Sequence, residues 1–230
     1  MKKNIIITGA SGNLGKACVS RYAADGYRVI GTVSPGKTLG YHVPGDIESF
    51  PVDLTNGQNV SEMVTSIISK YQTIDAALLL AGGFMAGGIN ETDGDSLKKM
   101  YSLNFETAYF MARPVFMQMQ RQPSGGRIIL VGSRPSLNAD EGKNLIAYSL
   151  SKSLLFNLAD LLNAEGAPQN VITSVVVPSV IDTPDNRKSN PSANFSDWVK
   201  PEKVAERMAF ITSRNGRSLQ DTIIKVYGGP

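Results

Sequence analysis

Short apolar segments rich in β-branched residues alternate along the chain with longer segments of helical periodicity. Most of the short segments lack in/out alternation, which is typical of parallel strands covered on both faces. The alternation of strand and helix predicts an α/β fold built on a doubly wound parallel sheet with helices on both faces. A weak strand ends at Asp53, and the stronger predicted strands lie at residues 5–8, 28–33, 76–80, 127–131, 171–177 and 222–226.

Two of the longer segments have clear helical periodicity. Apolar residues spaced three and four apart run from Leu97 to Met119, and they predict one long amphipathic helix that ends before the glycine pair at 125–126. A stripe of leucines predicts a second helix over residues 145–165, and Gly166 is placed to stop it. We expect the leucine stripe to belong to the hydrophobic core.

Residues 178–200 form the longest segment without periodicity, and they contain three prolines and three asparagines. Irregular segments of this length inside a compact domain are commonly functional lids or disordered. A chain of 230 residues is large for one domain and small for two. We therefore expect a single domain over residues 1–230, with residues 178–200 as a substrate lid.

Composition and charge narrow the function classes. Hydrophobic residues make up 42% of the chain, enough for a core, and the net charge of +3 comes from scattered basic residues that give little support to nucleic-acid binding. One cysteine and one histidine argue against an internal disulfide, a structural metal site and a Ser-His-Asp triad. The apolar segments are too short for a signal peptide or a membrane span, so we expect a cytoplasmic protein without membrane partners.

A glycine-rich loop follows the first predicted strand directly and leads into a helix. Its sequence runs Thr-Gly-Ala-Ser-Gly-Asn-Leu-Gly over residues 8–15. Glycines at 9, 12 and 15 permit a tight turn, close approach of the backbone to a pyrophosphate, and close packing of helix on strand. An ordinary turn does not need three glycines at this spacing, so the loop predicts a dinucleotide site at the helix N-terminus.

A second set of polar residues lies in the other half of the chain. Tyr148 and Lys152 are four residues apart on the second strong helix, which places them on one face. Such pairs are common by chance, but Ser133 directly follows a predicted strand, at the edge where open α/β sheets bind ligands. Ser133 has the alternative role of a simple loop residue, and Ser136 is then the fallback candidate.

These motifs together resemble the short-chain dehydrogenase/reductase family over essentially the whole chain. The family order is the glycine loop, an Asp-Leu pair, an Ala-Gly pair, a helix asparagine, then serine, tyrosine, lysine, proline and threonine. The matching positions are residues 8–15, Asp53, Leu54, Ala81, Gly82, Asn104, Ser133, Tyr148, Lys152, Pro178 and Thr183, with Gly228 and Gly229 after the last strand. An ordered set of this kind is much more specific than any one of its members.

The resemblance implies a Rossmann-type fold and a hydride-transferring enzyme with four catalytic residues. Tyr148 is then the general acid in reduction, and Lys152 lowers its pKa and binds the nicotinamide ribose. Ser133 donates to the substrate carbonyl oxygen, and Asn104 anchors a water that relays protons through Lys152. The alternative for Asn104 is a polar residue that satisfies a backbone group inside a buried helix.

The resemblance also implies a nicotinamide cofactor. The residue that ends the second strand is Ser34, where an acidic side chain would bind the ribose 2′-hydroxyl, and Lys37 lies three residues on. A small hydroxyl residue with a nearby cation favours NADP(H), with NAD(H) as the alternative. The expected cofactor-binding residues are Gly9, Ser11, Gly12, Asn13, Leu14, Gly15, Ser34, Asp53, Leu54, Ala81, Gly82, Gly83, Tyr148, Lys152, Pro178, Val180 and Thr183.

The segments 80–83 and 182–189, together with Trp198, resemble the pterin-reducing branch of the family, the quinonoid dihydropteridine reductases. That branch lacks the serine and the helix asparagine and usually prefers NADH, whereas Ser133 and Asn104 are present here. Asn13, Leu80 and Ser179 also depart from the commoner family residues, which are glycine, asparagine and glycine. Arg187 and Lys188 are further candidates for contact with substrate from the lid.

The expected activity is reduction of a small carbonyl compound or a quinonoid pterin. The alternatives are a 3-oxoacyl or alcohol dehydrogenase of the same family, and a non-catalytic NAD(P)-binding sensor or scaffold. A sensor would not require the intact set of Ser133, Tyr148 and Lys152. The partners implied are a small-molecule substrate and a second copy of the chain, in a homodimer or homotetramer paired through the helices that carry Asn104 and Tyr148.

Overall fold

The computed structural model describes residues 2–219 and 222–229. A seven-stranded parallel sheet has the order β3-β2-β1-β4-β5-β6-β7, so the chain winds outward in both directions from β1. Met1, residues 220–221 and Pro230 of the expected domain lie outside the described residues. The strands are β1 Asn4–Thr8, β2 Arg28–Val33, β3 Asp46–Pro51, β4 Ala76–Leu79, β5 Gly126–Val131, β6 Val171–Pro178 and β7 Ile223–Val226.

Helices cover both faces of this sheet. The helices are α1 Asn13–Ala24, α2 Gly57–Tyr71, α3 Gly94–Tyr101, α4 Thr107–Arg121, α5 Ala139–Gly142, α6 Ile146–Gly166, α7 Pro184–Ser189 and α8 Pro201–Thr212. Ile6 of β1 packs in a core with α2, α4 and α6, whereas Ile5 and Ile7 pack in a second core with α1 and α8. All three isoleucines are completely buried, which explains the continuous apolar run in the sequence. The predicted doubly wound α/β fold is confirmed.

The long helix predicted from Leu97 to Met119 is not uniform. A π-helical segment, Ser102–Glu106, separates α3 from α4, and Asn104 lies within it. A π-helical turn contains one extra residue, so the side chains after it are rotated about the helix axis relative to those before it. Residues 94–121 therefore form one continuous helix, as the pattern predicted, with a π-helical turn at its centre that the pattern did not indicate.

Two further boundaries differ from the sequence prediction. The third strand ends at Pro51, short of Asp53. Gly166 is the last residue of α6, but it keeps a helical φ of −86° and the chain continues into a short 3₁₀ turn that ends at Asn170, in the left-handed region. A side chain at Gly166 would approach the Phe116 ring within 2.8 Å, so close packing between α4 and α6 explains the glycine.

Residues 178–200 contain regular structure that the sequence pattern did not indicate. The short helix α7 starts at Pro184, and the Thr183 side chain caps it by accepting from the Asn186 backbone N–H at 3.2 Å. Ile181 pairs with Val199 in an isolated bridge, which closes the segment on itself. Within the described residues, no helix has the length and apolar character needed to cross a membrane.

Candidate active site

The glycine loop lies between the carboxyl ends of β1 and β4. Gly9 has a φ of +65°, and a Cβ there would lie 3.3 Å from the backbone of Ala81. A Cβ at Gly15 would lie 2.2 Å from the carbonyl oxygen of Gly9, so the start of α1 packs directly on the loop. Both positions therefore require glycine, one for its backbone conformation and one for the close contact.

The first turn of α1 is free to bind an anion. Gly12 precedes the helix with no side-chain cap, and no acidic residue occupies the first turn. The loop itself is fixed from both sides, because the Ala10 N–H donates to the Thr32 carbonyl at 2.9 Å and the Ala81 N–H donates to Thr8 Oγ1 at 3.1 Å. Exposed backbone donors at a helix N-terminus with bare glycines form a cradle that a pyrophosphate fits.

A cavity of about 220 Å³ continues from this loop between β1, β2 and β4. It brings together seven of the residues expected to bind the cofactor. Asp53 borders it with its carboxylate turned to Thr55, which donates from its N–H at 2.9 Å and its hydroxyl at 2.7 Å and holds the pKa of the aspartate below its usual range. The expected cofactor residues that line the cavity are Gly9, Ser11, Ser34, Asp53, Leu54, Ala81 and Gly82.

The 34–37 turn forms the outer rim of this cavity. The Lys37 N–H donates to the Ser34 carbonyl at 3.0 Å, with Pro35 at the second position and Gly36, whose φ is +73°, at the third. Proline and glycine in these positions are typical of a type II turn. All four residues of the turn are exposed, and none is acidic.

Lys152 is buried beside the carboxyl end of β5. Its Nζ donates to the Val131 carbonyl oxygen at 2.9 Å. Burial lowers the pKa of the amine to about 8, since the charged form loses its hydration. A Cβ at Gly82 would lie 3.2 Å from this Nζ, so the glycine lets the loop after β4 pack closely against the amine.

Asn104 is completely buried, and its side chain joins three elements. Its Oδ1 accepts from the Gly83 N–H at 2.9 Å, and its Nδ2 donates to Ser151 Oγ at 3.0 Å. Ser151 Oγ in turn donates to the Tyr148 carbonyl at 2.8 Å. The π-helical segment therefore fixes both the loop after β4 and the turn of α6 that carries Tyr148. The bond to the Gly83 N–H is the kind of backbone contact that the alternative role for Asn104 describes.

Tyr148 and Ser133 face each other across the carboxyl end of β5. Burial raises the pKa of the Tyr148 phenol, and the nearby Ser133 hydroxyl opposes that rise. The Phe84 ring packs edge-on against Tyr148 with centroids 5.1 Å apart. Ser133 also bonds to Ser136, with 2.6 Å between the two hydroxyl oxygens. Ser133 is thus one group that favours the phenolate in this arrangement, and the Lys152 amine donates to the Val131 carbonyl oxygen.

The residues of the 178–200 segment are held mainly by one another. Arg187 forms a two-point ion pair with Asp182, at 2.6 and 2.8 Å, and its guanidinium lies over the Phe195 ring at 4.6 Å. Thr183 is buried, whereas Val180 is 45% exposed at the start of the segment. Arg187 is thus bonded within the 178–200 segment, and its contact with substrate stays a prediction.

Two of the positions that depart from the family pattern join the 178–200 segment to its surroundings. Asn13 Nδ2 donates to the Asp185 carboxylate at 3.4 Å, which joins α7 to the glycine loop. Ser179 Oγ accepts from the Gly228 N–H at 3.0 Å, and this contact ties the end of β6 to the turn after β7. Both departures are therefore accommodated by contacts within the chain.

Sequence reasoning missed Ser151, Phe84 and Asp185. Ser151 directly precedes Lys152, and Phe84 directly follows Gly83, so their positions next to predicted site residues could have identified them. No local pattern pointed to Asp185, because its partner Asn13 lies far away in the sequence. Within residues 2–219 and 222–229, no group of three or more His, Cys, Asp or Glu residues could hold a metal ion.

The parallel sheet, the uncapped helix N-terminus and the adjoining cavity define a nucleotide-binding α/β protein. A sequence model of the family described as short chain dehydrogenase matches residues 3–194. The chain therefore belongs to the short-chain dehydrogenase family and is an NAD(P)-dependent oxidoreductase.

Individual relatives span almost the whole chain at low identity. A dihydropteridine reductase of Dictyostelium discoideum is 27% identical, over 98% of this chain and 94% of its own. A 3-oxoacyl-(acyl-carrier-protein) reductase of Buchnera aphidicola is 25% identical, over 99% and 97% of the two chains. The solved structure of ElxO with NADP bound has a TM-score of 0.89 at 22% identity, over 98% and 97% of the chains, and thus shares the fold.

Proposed function

We propose that this protein is an NAD(P)H-dependent reductase that transfers hydride to a small carbonyl compound or a quinonoid pterin. The observation that carries the proposal is the convergence of Ser133, Tyr148 and Lys152 at the carboxyl end of β5, beside the glycine cradle. Lys152 is 6% exposed yet ionisable, and the fold holds it there with a backbone hydrogen bond. Perturbed ionisable groups in a cleft are typical of a catalytic site.

The residues of the cleft fit a nicotinamide dinucleotide. Gly9, Gly12 and Gly15, with the first turn of α1, would hold the pyrophosphate, and the cavity bordered by Asp53 and Leu54 would hold the adenosine. Gly82 and Gly83 leave open backbone near Lys152, and Pro178, Val180 and Thr183 would border the nicotinamide. When bound, the dinucleotide supplies the hydride for reduction.

The chain's own residues would control one proton. Tyr148 would donate it from the phenol oxygen to the substrate oxygen, and Ser133 would hold that oxygen by hydrogen bonding. Lys152, whose pKa of about 8 lies close to neutrality, would exchange protons beneath the phenol and bind the ribose. Asn104 would hold the loop after β4 and the turn of α6 that carries Tyr148 in fixed positions through its bonds to Gly83 and Ser151.

For the cofactor we propose a preference for NADP(H) over NAD(H). The 34–37 turn offers the Ser34 hydroxyl and a nearby Lys37, and no carboxylate in the turn would repel a 2′-phosphate. The relative ElxO is known with NADP bound, which supports the same choice. The pterin-reducing branch of the family usually prefers NADH, so a pterin substrate and an NADPH preference would make this protein atypical of that branch.

For the substrate we favour a quinonoid pterin or a small carbonyl compound. The Dictyostelium relative supports the pterin, and the exposed Phe84 ring beside Tyr148 offers a flat apolar wall. A 3-oxoacyl substrate is the second candidate, because the Buchnera relative is nearly as similar and Ser133 and Asn104 fit the wider family.

We also propose that the chain pairs with itself through α3 and α6. Leu97 and Leu150 are 40% and 55% exposed, and with Tyr101 they line a shallow apolar groove between the two helices. A second copy would cover these side chains in a homodimer or homotetramer.

Replacement of Tyr148 by phenylalanine tests the proposed function. We expect the Tyr148→Phe variant to lose at least about a thousandfold in kcat on the accepted substrate, because the proton donor is removed. Binding of NADPH, followed by the rise in melting temperature, should change little. Retention of most of the activity would contradict the mechanism, and failure of the parent protein on panels of carbonyl compounds, pterins and 3-oxoacyl thioesters would favour the sensor.

A further inference from the structure

The hydroxyl of Ser136 lies against the hydroxyl of Ser133. The two oxygens are 2.6 Å apart, within the range of a good O–H···O hydrogen bond. Among the described residues, Ser136 Oγ has no other hydrogen-bond partner. The function proposed above assigns a role to Ser133 and none to Ser136.

The local backbone presents Ser136 at this position. Ser133 precedes a short 3₁₀ turn, Arg134–Ser136, with Pro135 at its centre. The Ser136 N–H donates to the Ser133 carbonyl at 3.2 Å, and Arg134 is bound to Glu141 at 2.7 Å. The turn is held by these contacts independently of the Ser136 side chain, so the hydroxyl can be removed without loss of the turn.

The number of protons on the two hydroxyls indicates which serine donates the hydrogen bond. A serine hydroxyl has one proton and can accept two hydrogen bonds. If Ser133 donated to Ser136, its proton would be turned away from the cleft. If Ser136 donates to Ser133, the Ser133 proton stays directed at Tyr148 and the substrate oxygen, and a hydroxyl that accepts a hydrogen bond becomes a better donor.

We propose that Ser136 is a positioning residue that donates its hydrogen bond to Ser133 and thereby keeps the Ser133 proton directed at the substrate oxygen. This inference rests on the proposed function. The Ser133 hydroxyl also opposes the rise in the pKa of Tyr148, which is consistent with a Ser133 proton directed at the phenol.

Kinetics of four variants test the role of Ser136. Ser136→Ala should lower kcat about three- to tenfold, the factor that one such hydrogen bond is worth, with little change in the KM for NADPH. Ser136→Thr keeps the hydroxyl and should recover most of the loss. In a Ser133→Ala background, Ser136→Ala should have no additional effect, because the residue through which it acts is gone.

The ionisation of Tyr148 provides a readout that does not depend on turnover. Difference absorbance of the phenolate between the protein and its Tyr148→Phe variant gives the titration of this tyrosine alone. Ser136→Ala should move that titration to higher pH by about half a unit, since Ser133 is then a weaker donor. The matched control is Ser61→Ala, an exposed serine on α2, which should leave both kcat and the titration unchanged.

Three results would overturn the inference: equal losses in Ser136→Ala and Ser136→Thr, the same loss with and without Ser133, or an unmoved Tyr148 titration. The first would indicate that the hydroxyl is unimportant, and the second that Ser136 acts on its own. If the parent protein has no turnover, the proposed function is contradicted. The effect of Ser136→Ala on the Tyr148 titration would then still test whether Ser136 positions Ser133.

Discussion

The two ends of the cleft are built in opposite ways. At one end, Asn104, Ser133 and Lys152 are buried, and each is tied to the chain by hydrogen bonds from its side chain. At the other end, the 34–37 turn is exposed and is held by one backbone hydrogen bond. We call these the buried end and the exposed end.

The difference indicates how each end can respond to change. A buried polar group that loses its partner pays the full cost of desolvation, so substitutions at the buried end should affect folding and chemistry together. An exposed side chain contributes through weak, screened interactions, so substitutions at the exposed end should alter cofactor choice and little else. The three predictions below test this contrast.

The largest effect is expected from the charge of Lys152. Burial depresses its pKa to about 8, so between about pH 8 and pH 10 the unfolded chain binds a proton that the folded protein has released. The folded state therefore gains stability as pH rises through this window. We expect the parent to gain about 2–3 kcal/mol over the Lys152→Met variant between about pH 7 and pH 10, measured by urea unfolding.

The matched control for this experiment is Lys98→Met. The side chain of Lys98 is 83% exposed in α3, so its removal should leave the pH dependence of stability unchanged. Stability curves for the parent and Lys152→Met that stay parallel across the range would show that the amine is not desolvated in the folded protein.

The next largest effect is expected at Asn104. Asn104→Ala removes both side-chain hydrogen bonds, leaves the Gly83 N–H without its partner and opens a small cavity. We expect a loss of about 2–3 kcal/mol in the free energy of unfolding. Asn59→Ala, at an exposed position on α2, should cost less than about 0.5 kcal/mol, and equal losses in the two variants would remove the contrast between the ends.

The sheet could be predicted from the sequence because its central strands are buried on both faces. Ile5, Ile6 and Ile7 have no exposed surface, and such runs are easily recognised. The edge strand β3 was harder, because its sequence Asp-Ile-Glu-Ser-Phe-Pro is polar and partly exposed. No start was predicted for it, and its end was placed at Asp53 instead of Pro51. Edge strands lack the second buried face that makes the pattern clear.

The candidate site was predictable as a set of residues but not as a network. The order of the glycine loop, Ser133, Tyr148 and Lys152 indicated which side chains to examine. The π-helical segment around Asn104 left no mark in the sequence, because it preserves the apolar spacing on both sides. The bonds from Asn104 to Gly83 and Ser151 depend on that segment, so they could not be inferred from spacing alone.

The smallest effect is expected at the exposed end, where Ser34→Asp should reverse the cofactor preference. The new carboxylate would repel the 2′-phosphate of NADPH and accept a hydrogen bond from the ribose hydroxyl of NADH. We expect the ratio of the two dissociation constants to change about tenfold, with folding stability nearly unaffected. Thermal-shift titrations of parent and variant with each dinucleotide measure this ratio. Lys37→Ala, which removes only the cation, should shift it less, and a Ser34→Asp variant that binds NADPH as tightly as the parent would show that the turn does not contact the 2′-position.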